Sequence, residues 1–194
     1  MKLRLPREKR IYYIKTVLRW IVYYIIIILF FSTMNAGTWT KPILLVPAAL
    51  CIAVNNDLMA SAFTGAVCGF LIDVGCGRLF GYNAVLLTVF CVAVSLLFEL
   101  YLRDKFINFF WINAVVSFIQ CCLDFEFYYN IWQYDHAEMI FYEKTLKVWA
   151  YTIISSLFVY LVFRLINKKL MPREHLTIKE IIDNNRGITQ FSKE

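Results

Sequence analysis

Residues 61–83 read SAFTGAVCGFLIDVGCGRLFGYN, and Ser61, Gly65, Gly69 and Asp73 recur in it at every fourth position. On a helix of 3.6 residues per turn these four share one stripe, three small residues followed by an acid. Small residues let a neighbouring backbone come close, which is how helices associate where lipid supplies no hydrophobic drive between them. An acid inside so apolar a run is costly to bury and marks a candidate site by default. Directly after it, Gly75, Gly77 and Gly81 permit a sharp turn, and Asn83 opens the next apolar run.

The rest of the chain has the same character. Hydrophobic residues make up 60% of the 194 positions and charged residues only 18%, too apolar a balance for an ordinary soluble domain. Apolar runs cover residues 17–34, 42–54, 58–74, 82–100, 106–123 and 146–166. A crossing takes roughly 20 apolar residues. The expected fold is therefore an all-α membrane protein with six transmembrane helices. Its parts are a basic N-terminus over 1–16, a transmembrane domain over 17–166 and a tail over 167–194. The second run is short and carries Pro47, so it reads as a kinked or partly re-entrant span. No small-residue cleavage site follows the first run and further spans do, so it reads as a retained span.

Lys and Arg favour the cytoplasmic side of spans, and here they divide unevenly. With the N-terminus inside, only Lys41, Arg78, Lys144 and Lys147 fall outside. An odd number of spans would put the cluster Arg164, Lys168 and Lys169 on the wrong face, which supports the weak second span and places both termini in the cytoplasm. The net charge of +6 belongs to these flanks and to their attraction for anionic membrane lipids, so no nucleic-acid partner is expected. In the tail, Thr177 and Glu180 have capping-box spacing beside Ile178, Ile181 and Ile182, consistent with a short amphipathic helix or with a frayed polar end.

No constellation points to catalysis. The two histidines, His136 and His175, lie outside the spans and on opposite sides of this topology. No catalytic, cofactor or metal residues are assigned, and the six cysteines lack metal-site spacing. Cys76, Cys121 and Cys122 fall near the outer face, where an oxidising exterior permits a disulfide. Glu99 is balanced by Arg103 one turn on. For Asp73, the turn amides, the start of the fourth span or Arg78 are available partners. One acid with no companion makes a poor proton relay, so a structural latch is the favoured reading. On the fifth span Asn113, Ser117, Gln120 and Asp124 share roughly one face, which either bonds to neighbouring helices or lines a substrate cavity. The aromatic and acidic segment 124–145 reads as an interfacial belt.

The layout, together with Gly65-x-x-x-Gly69-x-x-x-Asp73 and Gly81-x-Asn83-Ala84, resembles the rod-shape-determining protein MreD family. The likeness of layout covers residues 10–170 and is concentrated over 65–105. It implies a non-enzymatic scaffold of the bacterial cytoplasmic membrane that binds MreC. It also implies association with the MreB filament, the RodA glycosyltransferase and its class B penicillin-binding protein in lateral peptidoglycan synthesis. The residues carried over, Gly65, Gly69, Asp73, Gly81 and Asn83, are structural ones. The family is similar in fold to the substrate-binding subunits of energy-coupling-factor vitamin transporters, which makes a transport subunit the alternative. Those subunits carry an Ala-x-x-x-Ala patch in the first span, and the Ile-rich and Tyr-rich first span here lacks it.

Overall fold

A computed structural model of the chain describes residues 7–36, 42–77, 79–101, 105–131, 139 and 141–170. The described residues form helices and no strands: α1 (Arg7–Asn35), α2 (Leu45–Ala53), α3 (Leu58–Cys76), α4 (Tyr82–Leu100), α5 (Lys105–Phe125) and α6 (Leu146–Leu170). A π-helical segment, Glu126–Asn130, prolongs α5, and a second, Phe141–Thr145, leads into α6. Among the described residues, five stretches are long and apolar enough to cross a membrane: Tyr12–Asn35, Leu58–Cys76, Tyr82–Leu100, Phe106–Tyr129 and Phe141–Leu170. The protein is an all-α, multi-pass membrane protein.

The expected second span, 42–54, takes a different form. Its helix has nine residues, about 14 Å of rise against the roughly 30 Å of a hydrocarbon core. Pro47 sets the start, because proline is tolerated only in the first turn, and Pro47 is the third residue of α2. Every residue from Leu45 to Ala53 is buried. A helix apolar all round belongs in a core, and α2 touches α1, α3, α4, α5 and α6.

Three boundaries also move. Helix α1 begins at Arg7, within the stretch expected to be a basic N-terminus, and α6 runs on to Leu170. The expected outer segment 124–145 is helical at both ends, because single charges such as Asp124, Glu126 and Lys144 interrupt hydropathy without breaking a helix. Aromatic contacts hold these extensions, with Phe125 against Phe141 at 5.0 Å between ring centres and Phe127 stacked on Tyr82 at 4.9 Å. His136, His175, Arg78, Arg103 and the tail beyond 170 lie outside the described residues. Among the described residues, which include all six cysteines, no disulfide forms.

The closest pairing is the antiparallel hairpin of α3 and α4. A Cβ on Gly65 would lie 2.8 Å from the Leu87 carbonyl oxygen, and one on Gly69 would lie 2.5 Å from the Ala84 Cα. Both glycines therefore face α4 backbone directly. Gly75 serves another neighbour, since a Cβ there would lie 2.9 Å from the Phe31 ring and 3.0 Å from Asn35 Oδ1, both on α1. Ser61, the first residue of the small stripe, turns to α2 instead of α4 and donates to the carbonyl of Asp57 (2.9 Å) and toward that of Ala53 (3.3 Å).

Side-chain contacts fix the helix directions. Arg19 reaches Asn56 at the start of α3, while Asn35 lies against Gly75 near its end, so α1 and α3 run the same way. Gln120 meets Asn83, and Tyr23 meets Asn167. One end of the bundle thus gathers Arg19, Asn56 and Asn167, and the opposite end gathers Asp73, Asn83 and Gln120.

Candidate functional site

The acid of the opening stretch occupies a small site in which it and Asn83 are buried. Helix α3 stops at Gly77, whose left-handed φ of 59° lets its N–H cap the carbonyls of Asp73 and Val74. The chain reverses, and α4 starts after Gly81, which also has a positive φ, 96°, and has no side chain to cap the helix. The first amides of a helix have no partner within it. Asp73, 1% exposed, supplies what Gly81 cannot.

Its Oδ2 accepts from the Gly81 N–H at 2.9 Å and the Ala84 N–H at 3.4 Å. Its Oδ1 accepts from the Asn83 N–H at 3.2 Å and the Asn83 Nδ2 at 2.9 Å. Four donors on two oxygens suit an acceptor-only carboxylate, and the positive end of the α4 dipole favours negative charge there. Asp73 is thus the N-cap of α4, supplied from the preceding helix. Asn83 carries the linkage onward, since its Oδ1 accepts from Gln120 Nε2 on α5 at 3.1 Å. Asp73, Asn83 and Gln120 therefore tie three helices together at one end of the bundle.

The rest of the α5 face is buried as well: Asn113, Ser117, Gln120 and Asp124 are all less than a tenth exposed. They are not equally satisfied. Neither amide atom of Asn113, nor Ser117 Oγ, nor Gln120 Oε1 has a hydrogen-bond partner among the described residues. The same interior holds Thr152 on α6, whose hydroxyl accepts from the Ile43 N–H at 3.0 Å, and Trp149, whose indole donates to the Ala114 carbonyl at 3.1 Å.

At the opposite end lies a cluster that hydropathy does not disclose. The Arg19 guanidinium, 8% exposed, donates to Asn56 Oδ1 at 2.8 Å and lies 5.8 Å from the centre of the Tyr23 ring. Asn56 also donates to the Ile52 carbonyl at 2.8 Å, and Ser95 on α4 approaches its carbonyl at 3.5 Å. The Tyr23 hydroxyl donates to Asn167 Oδ1 on α6. The available signal was the Asn55-Asn56-Asp57 triplet between two apolar runs, together with an arginine one turn before a tyrosine.

No group of three or more His, Cys, Asp and Glu side chains comes together in metal-binding geometry among the described residues. No family model, no curated protein and no solved structure matches the chain. What the Asp73 cluster does is join helices, with every carboxylate lone-pair direction already directed at α4.

Proposed function

We propose that the chain is a non-enzymatic membrane scaffold of the MreD type, which binds MreC in the bacterial cytoplasmic membrane and supports lateral peptidoglycan synthesis. The observation that carries this reading is the commitment of both Asp73 oxygens to the α4 N-terminus. A proton or ion relay needs a carboxylate able to exchange its partners, and this one is fixed by four donors. In the same reading the chain contacts RodA, its class B penicillin-binding protein and MreB through that complex.

Six crossings with both termini in the cytoplasm belong to this proposal. The parallel course of α1 and α3 supports it, since the chain between them must return from one end of the bundle to the other, and α2 lies on that route. The positive-inside bias then puts the Arg19 and Asn167 end on the cytoplasmic side. Two measurements test the scaffold. An affinity-tagged chain is expected to co-purify with MreC, and depletion in a host with no second copy is expected to turn rods into spheres. Cells that remain rods after depletion would sink the reading.

The orphaned atoms of Asn113, Ser117 and Gln120 favour the second reading, a substrate-binding subunit of an energy-coupling-factor vitamin transporter. One substitution separates the two. In a scaffold, Asn113→Leu removes buried, unpartnered polar atoms and is expected to stabilise the protein by about 1 kcal/mol, read as a higher melting temperature in detergent. In a vitamin carrier the same change strips a ligand contact, and a small molecule found by mass spectrometry with the wild type would vanish from the variant.

A further inference from the structure

At the Arg19 end of the bundle a cleft of about 310 Å³ opens between α2, α5 and α6. Its inner wall is apolar, formed in part by Val54, Phe109 and Phe163, and its rim carries Arg164, Asn167 and Lys168. Arg164 and Lys168 are exposed and one helical turn apart. Among the described residues that line the cleft there is no acid. Because Asn167 Oδ1 already accepts from the Tyr23 hydroxyl, the group Asn167 offers to a ligand is its NH2 donor. The two charged groups at the rim are thus both cationic.

A third cation stands behind it. The buried Arg19 lies against the Tyr23 ring, and Tyr23 holds Asn167 on the cleft wall. Among the described residues, Arg19 donates to the amide oxygen of Asn56, and its Nε has no hydrogen-bond partner. A guanidinium kept from water with an amide and a ring for company leaves positive charge to be balanced. That charge adds to the cationic field at this end of the bundle.

We propose that the rim of this cleft seats the phosphate headgroup of an anionic phospholipid, with the phosphate between Arg164 and Lys168 and an acyl chain along the exposed Leu161 and Leu165 of α6, one turn before each of them. Guanidinium and ammonium groups both suit phosphate oxygens. The exposed Leu161 and Leu165 favour a lipid over a free ion, because an acyl chain covers apolar surface and a free ion does not. This site makes no demand on the contact with MreC.

The test is native mass spectrometry of the full chain released from nanodiscs made of equal parts palmitoyl-oleoyl phosphatidylglycerol and palmitoyl-oleoyl phosphatidylcholine. Phosphatidylglycerol is expected to be retained in preference. Arg164→Gln and Lys168→Gln, both at exposed positions that leave the packed core alone, are each expected to lower its retention about fivefold. Lys147→Gln, at the other end of α6, is expected to change nothing. Equal retention of the two lipids, wild-type retention in both rim variants, or the same loss in Lys147→Gln overturns the proposal. Full displacement of phosphatidylglycerol by millimolar inorganic phosphate overturns it too, since the site would then bind a free ion.

Discussion

Gly69→Ala is expected to force α3 and α4 apart and to lower stability by about 3 kcal/mol, the upper end of the usual cost of overpacking. The added Cβ would lie 2.5 Å from the Ala84 Cα and 2.6 Å from the Ala84 nitrogen. Those are backbone atoms, which cannot rotate aside as a side chain does. The helix itself must shift, and the residues it carries are the ones Asp73 holds. Gly65→Ala meets atoms at 2.8, 3.0 and 3.1 Å, among them the Cys91 Cβ, and is expected to cost less. Ala93→Leu, at an exposed position on α4, serves as the control for added bulk. Thermal unfolding in detergent, followed by loss of the monodisperse size-exclusion peak, should rank the three as Gly69, then Gly65, then Ala93. A Gly69→Ala protein as stable as the wild type would disprove the close approach of the two helices.

The second large effect is expected at Asp73. Asp73→Ala leaves the Gly81, Asn83 and Ala84 amides and the Asn83 side chain without their acceptor in a site with 1% exposure at its centre. Loss of a cap costs about 1 kcal/mol and each stranded buried donor a further 1–3 kcal/mol, partly relieved by relaxation, so a total of about 3 kcal/mol is expected. Asp73→Asn keeps one acceptor oxygen and turns an NH2 toward the remaining donors. Roughly half the loss is therefore expected, and α4 should stay attached. MreC capture by the tagged variants should follow the same order, Asp73→Asn above Asp73→Ala. Equal and complete loss in both, with both proteins still folded, would mean that the negative charge itself does the work and would overturn the latch.

The two ends of the bundle were not equally readable from sequence. At the Asp73 end the carboxylate's own donors lie within eleven positions of it, and a turn between antiparallel spans forces them together, so glycine spacing and one acid define that part of the arrangement; the Gln120 contact with Asn83, 37 residues away, has no such local signal. Helix α4 begins and ends with its hydropathy run, at Tyr82 and Leu100, because Gly81 stops the helix signal at one end. At the Arg19 end the pairs Arg19 with Asn56 and Tyr23 with Asn167 are separated by 37 and 144 residues, and no local pattern specifies them. Arg19 reads as a basic flank of the first span, although packing buries it. The shortness of α2 was legible in the thirteen-residue run and its proline, whereas its burial on every side was not, because that depends on how the other helices pack around it.

The buried α2 also bears on how the protein is made. Nine residues are too few for the insertion machinery to hold as a span in their own right, so α2 must enter the bilayer together with a neighbour, most directly α3, to which it is joined by a short turn. The amide of Ile43, just ahead of α2, donates its hydrogen bond to the Thr152 hydroxyl on α6, more than a hundred residues further along the chain. Until that helix has emerged, Ile43 lacks its native acceptor inside an apolar surrounding. Completion of the middle of the molecule is thus deferred until α6 has been made, and nascent chains truncated before α6 should be the ones that membrane quality-control proteases remove.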